Sequence, residues 1–266
     1  MKTRAITGFF FVSIMLGSVL LGEKTFAVFF LILSMLCLDE FYRLVKKDVL
    51  RPQRITGALL GLSVFSSVLY QLMNGETRYL LLIVPIAVAV FIFELYRKTN
   101  NPFQNLAFTF TGVIFTVIPF CFYAGIGFIE GIYNFHYSLG FLILLWSSDT
   151  GAYLFGRSLG KNKLFKRHSP KKTWEGFFGG MIVSLLAAFI LSTQFTGISY
   201  IHWAIISLII VVGGTLGDLC ESMLKRSFDV KDSGSLLPGH GGVLDRFDGL
   251  FIAAPLVYVY LVIFTT

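Results

Sequence analysis

Nine stretches of mainly apolar residues constrain this chain more than any other feature. A helix that crosses a bilayer needs about 20 such residues, and lipid offers no partner to an open backbone hydrogen-bonding group. Hydrophobic residues make up 55% of the 266 and charged residues only 14%, whereas soluble domains are about one quarter charged. The sequence therefore predicts an all-α polytopic membrane protein. Its nine predicted spans are residues 5–21, 26–42, 55–72, 79–95, 105–127, 137–155, 176–195, 201–220 and 248–264.

The cations fall almost entirely on one side of this nine-span topology. That side carries 20 of the 22 Lys and Arg residues, and only Lys24 and Arg78 lie on the other. Cytoplasmic loops are enriched in Lys and Arg. We therefore expect an inner (cell) membrane protein with its charged face in the cytoplasm, its N-terminus inside and its C-terminus outside. The charged face comprises the N-terminus, residues 97–98, and the loops 43–54, 156–175 and 221–247.

The charge and the cysteines argue against a nucleic-acid partner, a zinc site and disulfides. The net charge of +7 follows from the one-sided loops, where each cation near an anionic leaflet gains about 1 kcal/mol. It is therefore not a sign of nucleic-acid binding, and we expect no nucleic-acid partner. Cys37, Cys121 and Cys220 are scattered without a CxxC pair, so neither zinc nor disulfides are indicated.

The two halves of the chain differ. Residues 1–135 have short loops and few polar groups inside their spans, which predicts a scaffold of about five helices for packing and homodimerisation. Residues 136–266 hold two long polar loops and eight of the fifteen acids, which predicts a catalytic region of about four helices. Small residues four apart suit close helix contacts in lipid; these pairs are Gly57 with Gly61, Gly176 with Gly180, and Gly213 with Gly217.

Two acids are placed inside predicted spans. Asp149 precedes the end of the sixth span by six residues, roughly 9 Å at 1.5 Å per residue. Asp218 lies near the end of the eighth span, and Ser222 and Lys225 follow at helical spacings of four and three, so the three share one face. Ionisable groups at such depth are costly and are usually functional or paired. A structural ion pair is the alternative at both positions.

Asp245 and Asp248 stand three residues apart where the ninth span begins. A helix cap explains acids at this place. However, Gly241 and Gly242 come just before, and glycines let backbone N–H groups approach a phosphate closely. Together with His240 and the intervening Arg246, this pattern favours a functional site.

The basic 156–175 loop contains most of the run Ser169-Pro-Lys-Lys-Thr-Trp-Glu-Gly176. By itself this run is weak evidence, since it could begin the seventh helix with an interfacial tryptophan and snorkelling lysines. Facing the 221–247 loop across the same membrane surface, Lys171 and Lys172 become candidate phosphate ligands.

Residues 222–248 resemble the signature of the phosphatidate cytidylyltransferases, also called CDP-diacylglycerol synthases. The upstream run from Ser148 to Tyr153 and the run from Ser169 to Gly176 are also similar to that family. This resemblance covers the C-terminal half, whereas the first 135 residues share only general hydropathy. The matching positions are Ser222, Lys225-Arg226, Lys231-Asp232, Gly234, Leu237-Pro238, His240-Gly241-Gly242, Asp245-Arg246 and Asp248.

The resemblance implies transfer of a cytidylyl group from CTP to phosphatidic acid in the membrane, giving CDP-diacylglycerol and pyrophosphate. It also implies Mg²⁺ as cofactor and leaves a second, monovalent cation open. The implied metal ligands are Asp218 and Asp245. The implied catalytic residues are Asp149, Lys225, Arg226, Lys231, His240, Arg246 and Asp248, and the implied substrate-binding residues are Lys171, Lys172, Ser222, Gly241 and Gly242.

Two other functions stay open at this point. A CDP-alcohol phosphotransferase is also a membrane enzyme with aspartates, and Asp248-Gly249 begins like its motif, but the rest of that motif is missing. A transporter also carries intramembrane acids, but it needs no polar cluster of 27 residues on one face. Release of pyrophosphate from CTP would separate the three functions.

Overall fold

The computed structural model describes residues 2–47, 49–234, 236 and 241–264, with side chains from residue 6 onward. His240 lies outside the described residues. Helices dominate the described part, and one two-stranded hairpin, formed by β1 (Lys163–Phe165) and β2 (Ser169–Thr173), separates α7 from α8. The helices are α1 Lys2–Leu20, α2 Glu23–Val45, α3 Arg54–Asn74, α4 Ile83–Tyr96, α5 Pro102–Gly112, α6 Ile118–Gly127, α7 Phe135–Leu159, α8 Trp174–Gln194, α9 Tyr200–Ser227 and α10 Leu250–Phe264.

Seven helical stretches of the described chain are long and apolar enough to cross a membrane. Two shorter apolar helices, Ile6–Leu20 and Leu250–Phe264, coincide with the first and last predicted spans. The all-α membrane architecture is thus confirmed, whereas the number of helices that cross the bilayer stays a prediction. The seven are Glu23–Val45, Arg54–Asn74, Arg78–Tyr96, Pro102–Gly127, Phe135–Leu159, Trp174–Gln194 and Tyr200–Ser227.

Small residues bring the helices into direct backbone contact, as their spacing predicts. A Cβ added at Gly180 on α8 would lie 2.7 Å from the carbonyl oxygen of Ser148 on α7. A Cβ at Gly213 on α9 would lie 2.9 Å from the Cα of Ala253 on α10. Only glycine permits such close approach, and close packing is what holds helices together in lipid.

Two helices extend four or more residues beyond their predicted ends. α7 continues to Leu159 instead of ending at 155, and α9 continues to Ser227 instead of ending at 220. Ser222, Lys225 and Arg226 therefore lie on the last two turns of α9 and not in a loop. Hydropathy marks the apolar part of a helix, but cations in the last turn also stabilise its negative end, so the helix outlasts the apolar run.

The 156–175 loop contains a β-hairpin that an all-α expectation missed. β1 and β2 pair antiparallel, with Lys163 opposite Thr173. The Thr173 hydroxyl oxygen accepts the N–H of Gly176 at 3.2 Å, which caps the start of α8. The Glu175 carboxylate accepts the Asn162 N–H at 3.1 Å, so the hairpin is fastened to the first turn of α8. Strands this short and polar leave no hydropathy signal.

The loops predicted to share one membrane face do meet at one end of the bundle. Lys47, just after α2, pairs with Asp229, just after α9, at 3.3 Å. Glu40, near the end of α2, binds the backbone of Leu244 before α10. The polar segments that follow α2 and α9 are therefore neighbours in space.

Candidate active site

A cavity of about 620 Å³ opens at this charged end, between α7, the hairpin, α8, α9 and the turn before α10. It brings together seven of the predicted site residues: Asp149, Lys171, Lys172, Asp218, Asp245, Arg246 and Asp248. These side chains come from four separate segments, α7, β2, α9 and the turn before α10, and line one space. The cavity mixes carboxylates with cations, which suits a ligand that carries both phosphate groups and metal.

Three carboxylates lie near one another in this cavity. Burial raises the pKa of Asp248, and the nearby carboxylates of Asp218 and Asp149 raise it further. The Asp248 carboxylate also accepts the N–H of Gly249 at 2.7 Å. The three carboxylates therefore repel one another when ionised, and a bound cation would reduce that repulsion.

Lys172 is the cation that faces this acidic group. Its ammonium lies 2.6 Å from one carboxylate oxygen of Asp218, and the Ser222 hydroxyl donates to the other at 3.2 Å. Asp218 and Ser222 therefore lie on one face of α9, as their spacing predicts. Lys225, expected on the same face, instead turns towards Glu221 at 2.5 Å and Asp245 at 2.7 Å.

Asp245 organises the turn before α10. Its carboxylate accepts the Lys225 ammonium at 2.7 Å, the Gly242 N–H at 3.0 Å and the Ser233 N–H at 3.1 Å. Burial alone would raise the pKa of Asp245, but its hydrogen bonds with Glu221 and Lys225 outweigh burial and lower the pKa to about 2. Both carboxylate oxygens are thus engaged by protein donors.

Glu40 is a site-supporting residue that the sequence analysis missed. It is 6% exposed, and its carboxylate accepts the Leu244 N–H at 2.9 Å and the Ser233 hydroxyl at 3.2 Å. A Cβ at Gly242 would lie 2.5 Å from the same carboxylate, so glycine makes room for it. An acid inside the second apolar span was the available signal, because such residues usually have a function or a partner.

The remaining predicted residues do not line the cavity. Arg226 donates to the Val230 carbonyl at 3.2 Å, which closes the end of α9. Lys231 is exposed and has no ion pair within the described residues. Gly241 has a φ of 87°, a left-handed conformation that glycine adopts without strain. Four of these residues do not line the cavity but hold its acids or shape the turn before α10: Ser222, Lys225, Gly241 and Gly242. The role of His240 stays a prediction.

Arg157 is a further cation of the cavity that the sequence did not single out. It lies two turns beyond Asp149 on α7 and contacts the Tyr153 hydroxyl at 3.0 Å, and both side chains line the cavity. The predicted helix end at residue 155 concealed its placement above Asp149.

The donor chemistry of the cavity fits a hard divalent cation. Mg²⁺ prefers carboxylate oxygens, phosphates and water, and Asp149 has no hydrogen bond or ion pair within the described residues. Among those residues no three His, Cys, Asp or Glu side chains are already grouped as metal ligands. One or two carboxylates together with phosphate and water can hold Mg²⁺, and Lys172 is the cation that an ion at Asp218 would displace.

Comparison with known proteins identifies the family. The family model described as "Cytidylyltransferase family" matches residues 2–264. This chain belongs to that family. The phosphatidate cytidylyltransferase of Bacillus subtilis (strain 168) is 34% identical over 268 residues, which cover 100% of this chain and 99% of the relative. That of Staphylococcus haemolyticus (strain JCSC1435) is 34% identical over 267 residues, covering 98% and 99%.

The family membership confirms the resemblance and corrects its extent. The match begins at residue 2, so the expectation that the first 135 residues share only hydropathy was wrong. Short signature residues are easy to recognise in one sequence, whereas helix-packing positions are visible only across many relatives. The chain is therefore a nucleotidyltransferase built into a membrane bundle, and the phosphotransferase and transporter alternatives find no support.

Proposed function

We propose that this chain transfers the cytidylyl group of CTP to phosphatidic acid, producing CDP-diacylglycerol and pyrophosphate for phospholipid biosynthesis. The observation that carries the proposal is the cavity at the charged end, where Asp149, Asp218 and Asp248 face Lys172 in a member of the cytidylyltransferase family. The relatives of similar length bear the name of this activity.

The reaction needs positioning more than covalent chemistry. A phosphate oxygen of phosphatidic acid attacks the α-phosphorus of CTP, the bond from that phosphorus to the oxygen bridging to the β-phosphate breaks, and pyrophosphate leaves. No protein nucleophile is required. Two like unit charges about 4 Å apart repel by about 4 kcal/mol at an effective dielectric near 20, so bringing the two polyanions together is the main task.

The cations of the cavity perform that task in this proposal. Lys171 and Arg246 are exposed to the cavity and have no ion pair within the described residues, so both are available to phosphate oxygens. Lys172 exchanges Asp218 for phosphate when substrate arrives. Lys225 acts differently, because it holds Asp245 and thereby fixes the turn that carries Arg246.

Magnesium is part of the proposal. When bound, Mg²⁺ would neutralise phosphate charge at the site of transfer. Asp218 would be one ligand, with Asp248 and Asp149 beside it in the same cavity. Asp245, the second ligand implied by the resemblance, must first give up Lys225, which can pass to Glu221 at its present distance of 2.5 Å. A second, monovalent cation stays a prediction.

The orientation and oligomeric state are proposed on the sequence pattern. We infer that the cavity faces the cytoplasm, where CTP is dissolved, with the N-terminus inside and the C-terminus outside. The 20-to-2 division of cations supports this orientation. We also propose a homodimer that assembles through the 1–135 scaffold.

The decisive experiment is turnover by the purified full chain in detergent with phosphatidic acid and Mg²⁺. Pyrophosphate release and CDP-diacylglycerol formation should both require CTP, and ATP should not replace it. Parallel reactions with dCTP will measure the selectivity for ribose. Transfer of the phosphatidyl group of CDP-diacylglycerol to an alcohol with release of CMP, or no turnover by folded protein, would contradict the proposal.

A further inference from the structure

A second cavity, of about 380 Å³, lies at the charged end of the bundle and shares no lining residue with the catalytic cavity. It is formed by the segment between α2 and α3, the first turn of α3 and the end of α4. Lys47, next to the cavity in sequence, pairs with Asp229 beyond α9, which places both cavities on one membrane face. The lining residues are Lys46, Arg51, Pro52, Gln53, Arg54, Ile55, Thr56, Phe93 and Arg97.

The wall of this cavity carries more positive charge than its own carboxylate partners balance. Arg97 pairs with Glu94 at 2.6 Å, and Arg54 pairs with an aspartate of α2. Lys46 and Arg51 are exposed and have no ion pair within residues 2–47, 49–234, 236 and 241–264. Two cations are thus left to attract an anion.

A buried network holds the cationic wall in place. Glu94, whose side chain is 1% exposed, accepts the side-chain amides of Gln53 at 2.7 Å and Asn105 at 2.8 Å. The side-chain oxygen Oδ1 of Asn105 in turn accepts the Arg51 N–H at 2.7 Å. The backbone that carries Arg51 is therefore fixed before any ligand binds, and preorganisation of this kind lowers the cost of binding.

The same cavity has an apolar wall on its membrane side. Ile55 is 79% exposed and Phe93 is 57% exposed. The apolar window of the Arg78–Tyr96 stretch is only 11% buried within the protomer, so this side of the cavity is open and would meet lipid in a bilayer. A free inorganic anion would use the cations and leave the apolar wall uncovered, whereas an amphiphile would use both.

We propose that this cavity binds one anionic phospholipid that is not turned over. Its phosphate lies on Lys46 and Arg51, and its upper acyl chain lies along Ile55 and Phe93. Basic pockets between membrane helices on the cytoplasmic side are suited to such headgroups. The site is independent of the proposed catalytic reaction, because the two cavities have no residue in common.

Phosphatidylglycerol is the probe, since its phosphodiester lacks the free phosphate that the proposed acceptor needs. Native mass spectrometry of the full chain should show one retained phosphatidylglycerol per protomer and no comparable retention of phosphatidylcholine. Removing both free cations with Lys46→Gln and Arg51→Gln should weaken retention by about thirty-fold, roughly fivefold for each cation. Lys98→Gln is the matched control, because it removes a cation of the same membrane face that does not line the cavity.

A further arm separates the lipid from a free phosphate. Phe93→Ala should weaken phosphatidylglycerol retention, and excess inorganic phosphate should fail to displace the lipid from the wild-type chain. Equal retention by the double variant, wild type and Lys98→Gln would overturn the proposal. So would complete displacement by inorganic phosphate, which would make the cavity a simple anion site. If the double variant fails to fold, Arg51→Gln and Phe93→Ala alone still decide the question.

Discussion

The Lys172 ammonium lies 2.6 Å from the Asp218 carboxylate, and this contact joins the β-hairpin to α9 across the catalytic cavity. Both side chains are partly exposed, at 26% and 33%, so water and substrate reach the pair. The contact therefore occupies the position of the proposed phosphate and metal, and it must open for both to bind.

Replacing Lys172 by Gln should lower kcat by about 10²–10³-fold, the loss typical of removing one positioned charge-stabilising donor. The variant keeps the hairpin backbone, so folding should be unaffected. Turnover with saturating CTP measures the effect. Lys163→Gln, on the exposed strand β1 of the same hairpin, is the matched control and should keep wild-type turnover. Equal activity of both variants would remove Lys172 from the site.

Asp218→Asn and Asp245→Asn should each abolish detectable turnover, and the double variant should be no worse than either single one. Groups that act as one unit give non-additive losses. Titration calorimetry with Mg²⁺ distinguishes the roles: Asp218→Asn should lose metal binding, whereas Asp248→Asn should weaken it more than Asp245→Asn. Wild-type turnover by either single variant would remove that acid from the proposed site.

Glu40→Ala should impair the site from a distance by leaving the Leu244 N–H and the Ser233 hydroxyl without their acceptor. An unsatisfied buried donor costs about 1–3 kcal/mol, so Tm should fall and KM for CTP should rise. Glu40→Gln keeps one acceptor oxygen and should recover part of both. The neighbouring Asp39→Asn removes only surface ion pairs and should have little effect. Identical behaviour of Glu40→Ala and Asp39→Asn would contradict this role.

Gly180→Ala should separate α7 from α8, because its Cβ would lie 2.7 Å from the Ser148 carbonyl oxygen. Overpacking of this kind costs about 1–3 kcal/mol, and it also shifts Asp149, the next residue on α7. We expect a lower Tm together with lower turnover. Gly197→Ala, where an added Cβ meets nothing within 4 Å, should behave as wild type. A wild-type Tm for Gly180→Ala would contradict this prediction, because it would show that α7 and α8 accommodate the added methyl group without loss of stability.

A cysteine placed at Lys163, on the β-hairpin, should be labelled by a membrane-impermeant thiol reagent only after the membrane is opened. The reason is that the hairpin belongs to the face that carries 20 of the 22 cations. A cysteine at Lys24 should show the reverse pattern and serves as the control. Labelling of residue 163 in intact cells would invert the proposed orientation.

The sequence predicted the helices well because lipid imposes a length and a composition on each span. Asp149, Asp218 and Asp248 could also be singled out, since charged residues stand out against an apolar background. What hydropathy could not show was where a helix ends beyond the membrane, so the predicted span stopped at residue 220 although the spacing of Asp218, Ser222 and Lys225 already indicated helix beyond it.

The long-range partners were beyond the reach of one sequence. Nothing local to Asp245 indicates that Lys225 and Ser233 occupy its carboxylate. Nothing local to Glu40 indicates that its acceptor atoms serve a turn more than two hundred residues later. Such contacts depend on how helices distant in sequence pack against one another. Small residues permit that packing, but hydropathy does not show which helix each of them contacts.

The contact between Glu40 and Leu244 spans 204 residues, and it has a consequence for how the protein is made. At about 5–20 residues per second, a ribosome needs roughly 10–40 s to extend from one residue to the other. Throughout that interval α2 carries a carboxylate without its partners, and burying it unpaired would be costly. Glu40 must therefore stay hydrated while the later helices insert. The turn around Leu244 can form this contact only after the ribosome has passed that residue, so the proposed site is assembled late in synthesis.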